Sequence, residues 1–304
     1  MKKKLTVTVG ISALNEETNI GTMLRAVLAQ RGDNFVLKEI MVISDGSTDN
    51  TVGKVREIKD KRITVIVGKK REGMNTRLNY LFAHFQSDVL IKMDADILPQ
   101  NESVISLLIS PFLENPRVAY TSGRLVPVKP TTFIEKCINT SRFVWDNVRD
   151  ELKNGNSIYS CAGGIYALSK SFARTATYPP DLWTDLGYPY FLCLTHNLLF
   201  VSVKAARIYF HPPTTVRDHI NQLNRYEGEI DPLKKYVSQK LLEKEYRIPK
   251  PMLYKYMFLS LLRYPIYTIS LFFINTYGRL TYRYSKRNRA ANWTMIRTSK
   301  RTFT

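Results

Sequence analysis

Between Leu5 and Ser122 the hydrophobic period switches repeatedly between two residues and three to four, and this restricts the fold more than any other feature. Leu5–Ile11 alternates apolar residues with Thr6 and Thr8, which is the period of a strand. Ile20, Leu24, Val27 and Leu28 then recur at helical spacing, with Thr18 or Asn19 placed to cap them. The pattern continues as a strand at Glu39–Ser44, a helix at Asn50–Ile58 and a strand at Ile63–Val67. A helix marked by Leu78, Leu81, Phe82 and Phe85 leads to a strand at Asp88–Met93. A helix at Ser103–Leu113 and a strand near Val118–Ser122 close it. Such alternation implies an α/β fold, a mostly parallel sheet with helices on both faces. It also decides how Met1-Lys2-Lys3-Lys4 before Leu5–Leu14 is read. The segment imitates a signal peptide, but Thr6 and Thr8 belong to a strand, and Asn15-Glu16-Glu17 stands where a small-residue cleavage site belongs.

Ligands of such sheets bind outside the carboxyl ends of the strands. That rule selects three loops, Ala13–Glu17, Asp45–Thr51 and Asp94–Asp96, all rich in carboxylates that a core does not accept unpaired. Asp94 and Asp96 end an apolar strand at i and i+2, so both point to one side. A pair of hard oxygen ligands there suits a divalent cation bridging a diphosphate; a solvated turn is the plainer account. Gly46 permits a tight turn, and Ser47 or Thr48 is placed to cap the following helix. Asp45, at a strand tip, faces the crevice, where a carboxylate accepts the imide N–H of a uracil ring.

The ordered motifs resemble the family 2 glycosyltransferases with the GT-A fold. Ala13-Leu14-Asn15-Glu16-Glu17 resembles that family's first-strand loop, and Asp45-Gly46-Ser47-Thr48-Asp49 its second acidic turn. Gly73 through Leu78-Asn79 is similar to its glycine-to-asparagine segment, and Asp94-Ala95-Asp96 to its metal motif. Thr184-Asp185 resembles its base motif. Gln222-Leu223-Asn224-Arg225-Tyr226 resembles a motif of processive polysaccharide synthases. The resemblance covers residues 5 to 229. It implies a nucleotide-sugar donor, read as a UDP-sugar through Asp45, met by Ala13, Asn15, Glu16, Asp45, Arg71, Asn79, Asp94 and Arg225. It implies Mn²⁺ or Mg²⁺ held through Asp96 with Asp94, and inverting transfer with Asp185 as general base. Gly163, Gly164, Trp183, Gln222 and Tyr226 fall to the acceptor, and His211 is a further metal candidate.

Each role has a plainer counterpart. Asp185 also suits a helix N-cap, Arg225 a salt bridge to Glu227 or Glu229, and His211 a packing histidine. Gly163 and Gly164 suit a turn, and Trp183 the core. Departures from the family pattern are visible as well. Met74 replaces a frequent lysine, which passes donor phosphate to Lys69, Lys70 or Arg71. Tyr226 replaces tryptophan, which leaves single addition and processive synthesis both open.

Two regions are expected: residues 1–230 as the transferase domain, and residues 231–304 as C-terminal helices with a basic tail. Met252–Tyr277 is long and apolar, but it carries Lys255 and Arg263 and is broken at Pro265. A charge near the middle of a span is costly in hydrocarbon, so two amphipathic helices lying in a membrane interface are expected, with a core hairpin or a true span as alternatives. The 45 Lys and Arg against 26 Asp and Glu give a net charge of +19, and Arg279 through Arg301 carries eight basic residues and no acid. Anionic partners follow, above all the cytoplasmic face of a membrane with a lipid-linked or saccharide acceptor. A membrane-protein partner or a second copy of the chain stays open. Nucleic acid is not expected, because an acidic cluster at three strand ends repels phosphates unless a cation intervenes. A catalytically silent basic adaptor and a nucleotidyltransferase are the rival classes. The latter is disfavoured because Ser12–Glu17 is acidic and lacks glycine. The three cysteines, Cys137, Cys161 and Cys193, have no metal-like spacing and fit a reducing compartment.

Overall fold

A computed structural model describes residues 4–182, 187–227, 230–285, 298 and 300–303, with side chains described for all of these except 225–227 and 282–285. Packing groups the chain into two units. One comprises the residues up to Val126, Cys161–Phe210 and those from Lys300; the other comprises Pro127–Ser160 and His211–Ser299. This grouping follows contacts rather than chain order, whereas the expected cut after residue 230 follows chain order alone.

The first unit holds an eight-stranded sheet. Its strands are β1 (Leu5–Ala13), β2 (Phe35–Ser44), β3 (Ile63–Val67), β4 (Val89–Asp94), β5 (Ile97–Pro99), β6 (Val118–Pro127), β7 (Ile165–Ser169) and β8 (Leu199–Phe210), in the order β3-β2-β1-β4-β7-β6-β8-β5. β3, β2, β1 and β4 run parallel, while β7 is antiparallel to β4 and β6, and β5 is antiparallel to β8. Helices α1 (Ile20–Leu28), α2 (Thr51–Glu57), α3 (Met74–His84) and α4 (Val104–Glu114) link the early strands. The alternation in β1 sorts its side chains. Leu5, Val7, Val9 and Ile11 join Ile20, Met23, Leu24 and Val27 of α1 in one apolar core. On the other face Gly10 lets α3 approach: a Cβ there would lie 2.8 Å from Leu81 Cδ1. Expected and observed elements agree within a few residues, and the short β5 is an addition. The irregular middle resolves partly into β7 and β8, which are antiparallel strands in the same sheet.

In the second unit α5 (Phe133–Glu151) is entered by a capping box. Thr132 Oγ accepts the Glu135 N–H, and the buried Glu135 carboxylate accepts the Thr132 N–H at 2.8 Å. This helix has a clear sequence signature, Thr132-x-x-Glu135, that the regional reading passed over. In chain order the remaining helices are α6 (Lys170–Thr175) and α7 (Gly187–Thr195) in the first unit, and α8 (Val216–Glu227), α9 (Ile230–Leu233), α10 (Gln239–Glu245), α11 (Lys250–Arg263) and α12 (Pro265–Ser285) in the second. α11 and α12 pack on α5 and break at Tyr264-Pro265, as the sequence predicts. Gly278 brings α12 against Ile220 and Leu223 of α8. Much of the apolar surface of α11 and α12 is uncovered, including Phe258, Leu262, Ile266, Phe272 and Phe273. No described helix is long and apolar enough to cross a membrane.

Candidate active site

The parallel register brings the three acidic loops to one edge. Ser12 of β1 pairs with Asp94 of β4, and Ala13 pairs with Ser44 of β2, so the chain leaves all three strands at one level. Ala13 is buried, and its carbonyl accepts the Asp45 N–H at 2.8 Å.

Side chains join the first two loops. Asn15 adopts φ +54°, a left-handed conformation that asparagine tolerates. Its N–H donates to Ser47 Oγ at 3.1 Å, and its Oδ1 accepts the Thr48 N–H at 2.8 Å. The Glu16 N–H donates to Thr51 Oγ1 and the Glu17 N–H to Asp49. Ser47 and Thr48 therefore do not cap α2 as expected. Asn15 engages them, and the N-cap position falls to Asn50. Asn19 is the N-cap of α1 by position, but its side chain makes no capping bond.

Asp45 is buried and already engaged. Its Oδ1 accepts the Glu72 N–H at 2.8 Å and Arg77 Nε at 2.7 Å, and its Oδ2 accepts the Gly73 N–H at 3.0 Å. A carboxylate offers about four lone-pair sites; two of them hold the loop that carries Lys69, Lys70 and Arg71, and a third holds Arg77 of α3. The expected role of Asp45 as an imide acceptor thus gains a second part, that of loop anchor. Gly46 sits at φ +72°, where a Cβ would lie 2.7 Å from Lys70 C and Arg71 N. Arg71 is exposed on that loop.

Around the acid pair, Lys92 is almost fully buried, and its Nζ donates to Asp94 Oδ1 at 2.6 Å and to the Gly163 carbonyl. The Asp94 N–H donates to the Gly164 carbonyl at 2.9 Å. Ala95 is buried, and Asp96 is half-buried beyond it. Glu16 faces these acids. Burial, then Asp96, push its carboxyl up to about 7, while Lys300 pulls the other way. Lys300 Nζ donates to the carbonyls of Leu14 (2.6 Å) and Asn15 (2.9 Å) and pairs with Glu16 Oε1 (2.5 Å). Glu16 Oε2 is buried without a hydrogen-bond partner. The expectation that a buried carboxylate must be paired therefore holds for Asp45 but only for one oxygen of Glu16.

A hard divalent cation fits this donor set. Asp94 and Asp96 supply carboxylate oxygens, and a cation held by them would relieve the repulsion that, after burial, raises Glu16. No group of three His, Cys, Asp or Glu ready to hold a metal stands among the described residues. Mg²⁺ is commonly held by one or two carboxylates together with substrate phosphates, and Asp94 and Asp96 offer such a pair.

Other expected residues sit differently. Asn79 is not free for a donor: its Oδ1 accepts the Tyr178 N–H (2.8 Å), and its Nδ2 donates to the Tyr178 carbonyl (2.9 Å). Asn75 Nδ2 donates to the Leu182 carbonyl at 2.6 Å. The two amides clamp the backbone that enters residues 183–186. Gly164 faces the core, where a Cβ would lie 2.9 Å from Leu125 and 3.1 Å from Ile208, so its smallness serves packing rather than an acceptor. Gly163 places its carbonyl on Lys92. Trp183, Thr184 and Asp185 lie outside the described residues. Gln222, half-buried, and Arg225 and Tyr226, whose side chains also lie outside them, are on α8 of the second unit. His211 opens the second segment of that same unit.

Lys92, Arg77, Asn75 and Lys300 escaped the sequence reading. Lys92 was recoverable, since i and i+2 on a strand share a face with Asp94. Lys300 carried no local signal, being 284 positions from Glu16 (300 minus 16).

An open α/β sheet with acidic loops gathered at the carboxyl edge of its parallel strands defines a nucleotide-binding α/β enzyme class that works through a hard cation. Comparison narrows it. The family model for glycosyl transferase family 2 matches residues 8–175, more than half of the chain, and the chain belongs to that family. It is a glycosyltransferase by family and GT-A by fold. An uncharacterized glycosyltransferase of Haemophilus influenzae is 37% identical over 92 residues, 30% of this chain and 28% of its own. The undecaprenyl-phosphate 4-deoxy-4-formamido-L-arabinose transferase of Edwardsiella ictaluri is 25% identical over 105 residues, 34% of this chain and 32% of its own. Each match thus spans under a third of the curated relative. The mannosyltransferase PcManGT of Pyrobaculum calidifontis, solved with GDP-Man and Mn²⁺, superposes with a TM-score of 0.60 at 16% identity. That superposition covers 93% of this chain and 76% of the other, and it shows the shared fold.

Proposed function

We propose that this chain transfers a sugar, with inversion, from a nucleoside diphosphate sugar to a lipid-linked or saccharide acceptor at a membrane surface. The observation that carries the reading is the convergence of Glu16, Asp94 and Asp96 at the carboxyl edge of a family 2 sheet. Asp94 and Asp96 would hold Mn²⁺ or Mg²⁺, which when bound neutralises the charge of a leaving diphosphate. Lys92 donates to Asp94 Oδ1 and aims that carboxylate. Asp185 is the proposed base, taking the proton from the acceptor hydroxyl as that oxygen attacks the anomeric carbon. Its support is the motif and the clamp of Asn75 and Asn79 on the preceding backbone. A UDP-sugar is the favoured donor because of the Asp45 turn.

The lipid side of the proposal rests on two features. α11 and α12 leave a row of large apolar side chains uncovered, and Arg279 through Arg301 carries eight basic residues and no acid. Peripheral or monotopic attachment to the cytoplasmic face of the cell membrane fits both. A relative that by name acts with undecaprenyl phosphate agrees with a lipid-linked acceptor.

The test is release of nucleoside diphosphate from a panel of UDP- and GDP-sugars, with anionic membranes present and with Mn²⁺ or EDTA. Metal-dependent release from one donor, lost in Asp96→Asn and Asp185→Asn, is expected. Release that ignores EDTA, or survives Asp185→Asn, refutes the assignment of those residues. Binding of membranes without turnover of any donor favours the silent adaptor.

A further inference from the structure

The loop that leaves β1 is tied down by a residue from the opposite end of the chain. After Ala13 the backbone quits the ladder, and the Leu14 and Asn15 carbonyls point away from it. Asn15 adopts a left-handed φ, which turns its carbonyl out of line with the strand. Lys300 Nζ donates to both carbonyls, at 2.6 and 2.9 Å, and pairs with Glu16 as well. An ammonium has three hydrogens to donate, so this geometry uses its full capacity. The Lys300 side chain is only 18% exposed, unlike most surface lysines. Its three acceptors belong to consecutive residues, so a single group fixes the path of Leu14, Asn15 and Glu16 together. Ser47, Thr48 and Thr51 also hold Asn15 and Glu16.

We propose that Lys300 is a positioning residue of the nucleotide-sugar site: it latches the β1–α1 loop in the shape the donor meets. This rests on the reading of that edge as a nucleotide-sugar site. Without the latch, two carbonyls lose their donor, and Glu16 keeps the repulsion of Asp96 and Asp94 with no counter-charge. The loop then relaxes, and nucleotide binding has to reorder it. A tail that instead occupies the donor's place would have the opposite effect, because its removal would free the site.

The experiment uses the full chain with Mn²⁺, and calorimetric titration with UDP and with GDP. Lys300→Gln is expected to weaken the preferred nucleotide about tenfold, the scale of losing hydrogen bonds made by a charged group. Lys300→Arg, which keeps the charge and several donors, is expected to recover most of that loss. In turnover, the donor KM rises in Lys300→Gln while kcat stays within about twofold, a split that general destabilisation does not produce. Lys234→Gln, an exposed lysine on α9's flank, serves as the charge control. A second measurement needs no variant. Nucleotide with Mn²⁺ is expected to slow tryptic cleavage after Lys300 in the wild-type chain, followed by mass spectrometry of the released peptide. Equal or tighter binding by Lys300→Gln, or cleavage that is unchanged or faster with nucleotide, overturns the latch. If the wild-type chain binds neither nucleotide, the nucleotide-sugar reading falls, and the latch falls with it.

Discussion

Glu16→Gln is expected to stabilise the protein above neutral pH and to leave it unchanged in acid. The Glu16 carboxyl is 6% exposed. Burial raises its pKa most, Asp96 next and Asp94 least, against the lowering effect of Lys300, and the result is about 7 in place of 4.5. The rise from 4.5 to about 7 is worth on the order of 3 kcal/mol. The sign follows from linkage. Below pH 4.5 both the folded and the unfolded chain hold the proton, and the group adds no pH dependence. Between pH 4.5 and 7 the unfolded chain releases it while the folded chain retains it, so folding stability falls as pH rises. Above pH 7 the full cost of about 3 kcal/mol has been incurred. Glutamine imitates the protonated carboxyl and does not titrate. The assay is urea unfolding of wild type and Glu16→Gln at half-unit steps from pH 4.5 to 8, taking the difference so that other groups cancel. That difference should grow from near zero to about 3 kcal/mol in favour of the variant. Mn²⁺ should shrink it at pH 8, because a cation beside Asp94 and Asp96 favours the ionised Glu16. A difference that is flat across the range would refute the argument that Glu16 is buried against these acids.

Three further outcomes follow from the same contacts. Arg77→Met leaves the buried Asp45 carboxylate without its partner and should cost about 3–5 kcal/mol by urea or thermal unfolding, the range for breaking a buried pair from one side. Gly46→Ala places a Cβ 2.7 Å from the Lys70–Arg71 backbone at φ +72°; it should cost at least ~1–2 kcal/mol and raise the donor KM, measurable in the release assay. Asn79→Ala removes both hydrogen bonds to Tyr178 and should cost about 1–3 kcal/mol, read by urea or thermal unfolding; with Asp185 as the base a few residues beyond Tyr178, kcat should fall more than donor affinity.

Local pattern was a faithful guide wherever a segment's partner lay close in sequence or was dictated by the period. β1 through β4 and the helices between them follow from apolar periodicity, and the parallel sheet then places Asp45, Asp94 and Asp96 at one edge without further information. The break of α11 from α12 follows from Pro265, which cannot continue the backbone hydrogen bonds of the preceding helix. What each polar side chain does there was less legible. Asn79 looked like a donor contact and is a clamp on Tyr178; Ser47 looked like a helix cap and holds Asn15. These residues have several partners within reach, and the choice depends on which backbone the fold brings alongside.

The sequence by itself determined the class of sheet, the edge at which its ligand belongs and the chemistry of the acids there, because those depend on side-chain period and residue type. Only the tertiary structure decided which charges meet. Arg77 against Asp45 and Lys300 against Glu16 are set by distances across the folded chain. Electrostatic energy depends on those distances and on burial, and neither is encoded in separation along the chain.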